Sequence, residues 1–181
     1  MIEKEIKIAI EFPPLNQLMK HLSKDYSFLG IETQEDIYFN FIYRNFKITD
    51  EAVRLRKIND KIELTYKGPK ISSSIKAREE ITVRLDSINN IVEFLNKLGL
   101  YPVMTVKKIR YNYSDGSFIV SLDYVEELGE FVEIEAKNEA LDESKIQNYI
   151  SEFIRKYNIK GKPTTKSYLE LLIDKHESNK T

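Results

Sequence analysis

The feature that most constrains this chain is the way charged and apolar residues alternate along a series of short segments. Between Met1 and Glu11, Ile2, Ile6, Ile8 and Ile10 share one register, and Glu3, Glu5 and Lys7 share the other. A period of two is the signature of a strand. Further along, Val53 and Leu55 oppose Arg54 and Arg56, and Ile62, Leu64 and Tyr66 oppose Glu63, Thr65 and Lys67. Ile81, Val83 and Leu85 oppose Arg78, Glu80, Thr82 and Arg84, and Ile109 and Tyr111 oppose Lys108 and Arg110. Asp123, then Glu133 and Glu135, lie opposite Leu122 and Tyr124, then Val132 and Ile134.

Periodicity alone fits two arrangements. One is an open antiparallel sheet with an apolar face on the core and a charged face in water. The other is a closed sheet with its charged face turned inward, where water, metal ions and a polyanion must offset the cost of buried charge. The sorting of charge favours closure. Several strands contribute only cations and others mainly carboxylates, whereas a solvated face tends to intersperse them. Arginine offers a bidentate fork to phosphate oxygens, and lysine a point charge. Carboxylates are the hard oxygen ligands that Mg²⁺ or Mn²⁺ takes. Cations facing carboxylate-held metal make a clamp for a triphosphate.

The remaining elements support one α+β domain over residues 1–173, followed by a polar tail from Asp174 to Thr181. A helix is expected after Pro13 and Pro14, carrying Leu15, Leu18, Met19 and Leu22. Thr33 to Ile42 reads as a strand, and Asn59-Asp60 as a hairpin turn. Asp86 or Ser87 is expected to cap a helix bearing Ile88, Ile91, Val92, Leu95 and Leu98, with Gly99 as its stop. Strands follow over about Val103 to Tyr113, Ser117 to Tyr124 and Glu130 to Lys137, with a turn at Ser114-Asp115-Gly116. Asp142 to Tyr157 and Lys166 to Ile173 read as helices. The sum is about eight strands, enough to close a barrel. Lys70 to Lys76, with its serines, is expected to form a mobile loop. The aromatic run Tyr38, Phe39, Phe41 and Tyr43 reads as packing, and neither His21 nor His176 is given a role.

Charge and composition narrow the partners. With 28 basic and 29 acidic residues the chain lacks the basic excess of a duplex-binding protein, so no nucleic-acid partner is expected. No apolar run reaches membrane-spanning length, and charges at Glu3, Lys4, Glu5 and Lys7 predict no signal peptide. The chain has no cysteine, which fits a cytoplasmic home and excludes thiolate metal sites.

Several motifs, taken in order, resemble those of the CYTH superfamily, the triphosphate tunnel metalloenzymes. Glu3-Lys4-Glu5-Ile6-Lys7 resembles the ExExK signature. Val53-Arg54-Leu55-Arg56, Leu64-Thr65-Tyr66-Lys67-Gly68-Pro69 and Arg78-Glu79-Glu80 follow, then Lys108-Ile109-Arg110 and Ser121-Leu122-Asp123. Leu128 to Glu135 and Lys166-Ser167-Tyr168-Leu169 complete the series, and the class IV adenylyl cyclase-like branch is the most similar. The resemblance implies an eight-stranded antiparallel closed β-barrel with flanking helices. It further implies that Glu3, Glu5, Glu133 and Glu135 bind metal, with Asp123 supporting a second Mg²⁺ or Mn²⁺ ion. Glu80 would face inward, to hold a cation or orient an arginine. Lys7, Arg54, Arg56, Lys67, Arg78, Lys108 and Arg110 would line the phosphate path, joined by Lys166 near a carboxyl-terminal helix that closes the tunnel. Relatives also suggest a homodimer.

Hydrolysis needs only the clamp and an activated water, whereas cyclisation also needs a pocket that fixes a nucleoside. The clamp is legible and an adenine pocket is not. The reading is therefore a metal-dependent triphosphatase acting on a small-molecule triphosphate, with Glu5, Asp123 and Lys7 at the chemistry. Class IV adenylyl cyclase is the alternative, and a polyphosphate- or nucleotide-binding sensor a third. Lys7 would orient or deprotonate the nucleophile, the latter only with a strongly lowered pKa. Arg56 is expected to bond a triphosphate oxygen, so that its removal leaves the ligand-free fold no less stable.

Overall fold

The computed structural model of the chain describes residues 2–71, 76–87, 90–138 and 140–179. Its strands are β1 (Ile2–Phe12), β2 (Ser27–Phe41), β3 (Ala52–Ile58), β4 (Lys61–Lys67), β5 (Lys76–Leu85), β6 (Leu100–Ser114), β7 (Phe118–Val125), β8 (Gly129–Ala136) and β9 (Lys160–Thr164). The helices are α1 (Leu15–Asp25), α2 (Phe46–Thr49), α3 (Ile91–Lys97), α4 (Glu143–Lys156) and α5 (Tyr168–Ser178). No helix among the described residues is long and apolar enough to cross a membrane.

The sheet runs β5-β4-β3-β2-β6-β7-β8-β1-β9, and β1 also pairs with β5. That extra pairing closes β1 to β8 into an eight-stranded antiparallel barrel. One edge of β1 is shared: β5 takes Ile2 to Glu5 and β9 takes Lys7 to Phe12, while β8 holds Glu5 to Ala9 on the other edge. Closure leaves the wall residues no free strand edge and commits one register to the interior.

The outward register makes the packed core. Ile8, Val120, Leu122, Val132 and Ile134 pack beneath Leu15, Leu18 and Leu22 of α1 and Ile146, Ile150 and Phe153 of α4. These helix positions recur at three- and four-residue spacing, so each helix turns one stripe to the barrel. Asp142 caps α4 by accepting from the Ser144 amide. On the opposite side Leu95 of α3 covers Phe39 and Leu55. Gly99 ends this helix at φ 92°, where a Cβ would sit 3.0 Å from Ile42 and 3.2 Å from Phe41, so glycine is needed for both reasons.

Inside the barrel the character changes along the axis. Beyond the charged residues come Tyr38, Ala52, Val106, Val125 and Phe131, sealed by Tyr168 and Leu172 of α5. A capping box, Ser167 with Glu170, fixes the start of α5 so that Tyr168 enters the barrel. One end of the tunnel is therefore apolar and covered.

Several sequence expectations shift. Asn90, with no capping bond from its side chain, holds the N-cap position of α3 rather than Asp86 or Ser87, and Ile88 lies outside the described residues, as does the middle of the Lys70 to Lys76 loop. The helix expected over Lys166 to Ile173 starts at Tyr168 and continues to Ser178, so most of the expected tail is helix. β9 and α2 were not foreseen. Asn59 takes the hairpin turn with φ 51°, as its type allows.

Candidate active site

Strand register places each wall residue. Glu3 stands opposite Arg78, Glu5 opposite Glu135, and Lys7 opposite Glu133. Arg56 faces Asp36, Arg110 faces Asp123, and Lys67 faces Glu80. Opposed charges on neighbouring strands are within reach of one another, and five of these six rungs are so paired, Glu5 and Glu135 being alike.

The pairs are short and dry. The Lys7 ammonium bridges Glu5 at 2.6 Å and Glu133 at 2.8 Å. Arg110 grips Asp123 through Nε at 2.7 Å and Nη2 at 2.6 Å, and reaches Glu133 at 2.8 Å. Lys108 approaches Asp123 at 3.3 Å, and the Tyr168 hydroxyl donates to the same carboxylate at 2.7 Å. Lys67 joins Glu80 and Glu3. Glu3, Glu5, Lys7, Arg54, Arg56, Lys67, Arg78, Lys108, Arg110 and Glu133 thus surround one cavity of about 50 Å³. That is little more than one water's share of the liquid, roughly 30 Å³. The ion pairs fill the tunnel, and a polyanion entering it must part them.

Proton affinities follow from these neighbours. Burial would strip Lys7 of its proton, but the Glu133 and Glu5 carboxylates outweigh it and hold the ammonium far above the ordinary lysine range. Lys7 therefore lacks the lowered pKa that a base requires. Lys108 shows the opposite balance: burial and the Arg110 guanidinium pull it down to about 7 against Asp123. Asp123 and Glu133 are disfavoured by burial, yet Arg110 and the nearby lysines keep both below the usual carboxylate range. Burial, then the charges of Glu3, Glu133 and Glu5, push Glu135 up to about 8. Glu80 is raised to about 7 by burial and by Glu3, against the pull of Lys67.

One expected residue stands elsewhere: Lys166 is exposed and pairs with Asp174 at 2.6 Å, outside the tunnel lining. Asp123 is on the inward register, where Arg110, Lys108 and Tyr168, all lining the cavity, cover its carboxylate. Sequence reading also missed three members. Asp36 binds Arg56 through both oxygens at 2.6 Å. Tyr38 packs as expected, but inside the barrel, where it also lines the cavity. Tyr168 lies under two lysines, with Lys108 Nζ 4.8 Å and Lys7 Nζ 5.2 Å from its ring centroid. The alternation in β2 would have exposed Asp36 and Tyr38, since Gln34, Asp36 and Tyr38 share the inward register.

Two donors stand out. The Nε–H groups of Arg54 and Arg78 are buried, line the cavity and have no hydrogen-bond partner among the described residues. Unmet donors of this kind call for an acceptor oxygen. For a divalent metal, no three acidic or histidine side chains among the described residues already form a coordination cage. The donor chemistry still fits: Glu3, Glu5 and Glu135 are hard oxygen ligands close enough to repel, as the raised Glu135 carboxyl records, and a cation would relieve that repulsion.

A CYTH domain model matches residues 1–168. A protein of Methanocaldococcus jannaschii named provisionally as an adenylate cyclase is 40% identical over 174 residues, covering 94% of this chain and 98% of that one. Among solved structures, the PH1819 protein of Pyrococcus horikoshii superposes with a TM-score of 0.84 at 33% identity, over 96% of this chain and 99% of that one. A Hippeastrum protein named provisionally as an adenylyl cyclase, and described as having a dominant triphosphatase activity, superposes with a TM-score of 0.69 over 92% and 93% of the two chains. At 18% identity that likeness shows the fold alone. The family model runs from the first strand to the start of α5, and a relative of 40% identity spans nearly the whole length. The chain belongs to the CYTH domain family.

Proposed function

We propose that this protein is a divalent-metal-dependent triphosphatase that hydrolyses a small-molecule triphosphate within its tunnel. The observation that carries the reading is the pair of unmet Nε–H donors of Arg54 and Arg78, the latter held by Asp50 through Nη2 at 3.1 Å, beside Lys67 in a tunnel whose far end is sealed by α5. Such a dead end suits the tail of a phosphate chain. Glu3, Glu5 and Glu135 would hold the metal, which when bound neutralises phosphate oxygens and lowers the pKa of a water.

The protein's own groups do the rest. Arg54, Arg78 and Lys67 bind the inner phosphate oxygens and stabilise the charge that grows there as the phosphoanhydride bond breaks. Lys7 and Arg110 change partners, giving up part of their hold on Glu5 and Glu133 to phosphate oxygens. Water supplies the oxygen that forms the new P–O bond, and the two phosphate products share the released charge. Lys7 contributes its charge, being held as an ammonium by the carboxylates around it.

A second reading, class IV adenylyl cyclase, is favoured by the name of the M. jannaschii relative. One assay separates the two. Tripolyphosphate, ATP and thiamine triphosphate are each incubated with Mg²⁺ or Mn²⁺ and the products resolved. Orthophosphate supports the hydrolase; cyclic AMP with pyrophosphate from ATP overturns it in favour of the cyclase. No product from any of them, with tight binding, leaves a sensor and sinks both.

A further inference from the structure

Arg78 lines the charged cavity from β5 and is only 4% exposed, with its Nε–H unmet among the described residues. The carboxylate that holds its guanidinium is not part of the lining. Asp50, in the turn between α2 and β3, accepts from Arg78 Nη2 at 3.1 Å. Asp50 is itself held in place. Its backbone takes the left-handed conformation that ends α2, at φ 54°, which aspartate tolerates better than most residues. Its Oδ2 accepts from the Lys70 amide at 2.7 Å, and its Oδ1 from the Lys70 ammonium at 3.2 Å. That ammonium also reaches Glu170 at 2.8 Å, and Glu170 completes the capping box that starts α5. One chain of contacts thus runs from Arg78 to the helix that seals the tunnel.

The Asp50 side chain is 40% exposed, and ion pairs as open as this contribute little to stability. Their effect lies in geometry. A guanidinium is planar and carries its donors in a rigid fork, so a partner on Nη2 restricts the direction of the remaining N–H groups. We infer that Asp50 is a positioning residue, whose carboxylate orients the Arg78 guanidinium toward the inner phosphate oxygens while Lys70 and α5 keep that carboxylate in place. The inference rests on the reading that the tunnel holds phosphates. It also fixes the sign of a substitution. Acting only as a charge, Asp50 would repel a polyanion, and its removal would tighten binding. Acting through Arg78, its removal loosens binding.

The test is a double-mutant cycle, read by calorimetric binding of a methylene-bridged tripolyphosphate analogue with Mg²⁺, with urea unfolding of each variant alongside. Asp50→Gly removes the carboxylate and suits the left-handed turn. It is expected to weaken binding about tenfold in the otherwise wild-type protein, and by less than about twofold in an Arg78→Met background. Asp50→Asn keeps the turn and one acceptor oxygen, so it should recover part of the loss, whereas a group acting by charge alone would make the two variants alike. Tighter or unchanged binding in Asp50→Gly overturns the inference, as does an equal loss in both backgrounds. Should Asp50→Gly fail to fold, Asp50→Asn goes through the same cycle, and a loss that does not depend on Arg78 overturns the inference there. An analogue that does not bind the wild-type protein at all would instead sink the tunnel reading, so the two failures are distinguishable.

Discussion

Asp36 on β2 and Arg56 on β3 stand directly opposite one another and share two hydrogen bonds of 2.6 Å, with Asp36 only 1% exposed. The guanidinium thus spends two of its donors on the wall while still lining the cavity. Removing one member of a buried pair strands the other, at a cost of about 3–5 kcal/mol. Arg56→Ala should lower urea-unfolding stability by that order, and Arg56→Met combined with Asp36→Leu should recover much of it. An unchanged unfolding midpoint in Arg56→Ala would show that the pair is not structural.

The same pair fixes an acid limit. Burial disfavours the Asp36 carboxylate, but Arg56 outweighs it and holds the folded value below the ordinary 3.8. A depressed folded pKa contributes stability that is present above the unfolded value and lost as pH falls below it. The stability difference between wild type and Asp36→Asn should therefore be flat from neutral pH down to about pH 4 and shrink below that. Parallel curves down to pH 2 would contradict the assignment.

Glu135 is in the opposite situation, crowded by Glu3, Glu133 and Glu5. Without metal and above about pH 8, where the Glu135 carboxyl ionises, Glu135→Gln removes one of several repelling charges, so the melting temperature should hold or rise. With metal the same change removes a ligand charge, and turnover should fall by about a hundredfold, at least the loss seen when groups supporting a metal ligand are removed. A variant that melts earlier yet keeps its activity would mean that Glu135 is a scaffold residue.

Alternation along each strand was enough to identify the inward and outward registers, because a period of two is a local property. It could not show which strands adjoin, and so gave the charges without their partners. Asp36 escaped notice because the aromatic run beginning at Tyr38 made β2 read as packing. Tyr168 escaped because its place is set by how α5 docks across the barrel, which no nearby residue records. β9 reads as Lys-Gly-Lys-Pro-Thr, a turn-like composition, and becomes a strand only because the edge of β1 beyond Glu5 is free to take it. The unmet Nε–H groups of Arg54 and Arg78 are likewise visible only after every neighbour has chosen a partner.

Lys166 shows the limit of carrying a role over by motif. It is exposed, lies just before α5 and is bonded to Asp174 within that helix. Exposed pairs of this kind contribute little. Lys166→Ala should leave kcat and KM for tripolyphosphate within about twofold of wild type. A large rise in KM would require α5 to rotate and bring this ammonium into the tunnel when substrate binds.

The contrast between Arg54 and Arg56 offers the sharpest test of the site. They are neighbours on the inward register of β3, yet Arg56 gives its Nε and Nη2 donors to Asp36 whereas Arg54, opposite Thr65 and Tyr38, keeps a buried Nε–H without a partner. Arg54 bonds Tyr38 and acts on Asp36 only beside the stronger Arg56, so ligand-free stability should fall less than in Arg56→Ala, as the same urea series measures. What Arg54→Ala removes is a donor to phosphate. A hydrogen bond to a charged group contributes about 1.5–3 kcal/mol, which corresponds to a loss of roughly ten- to more than a hundredfold in kcat/KM. Arg54→Lys keeps the charge and loses the fork, so it should recover only part of that loss. The two alanine variants should therefore fail in opposite ways: Arg56→Ala by unfolding, and Arg54→Ala by losing turnover in a stable protein. If Arg54→Ala instead unfolds early and turns over normally per folded molecule, its unmet donor is not the phosphate site and the proposed function loses the observation that carries it.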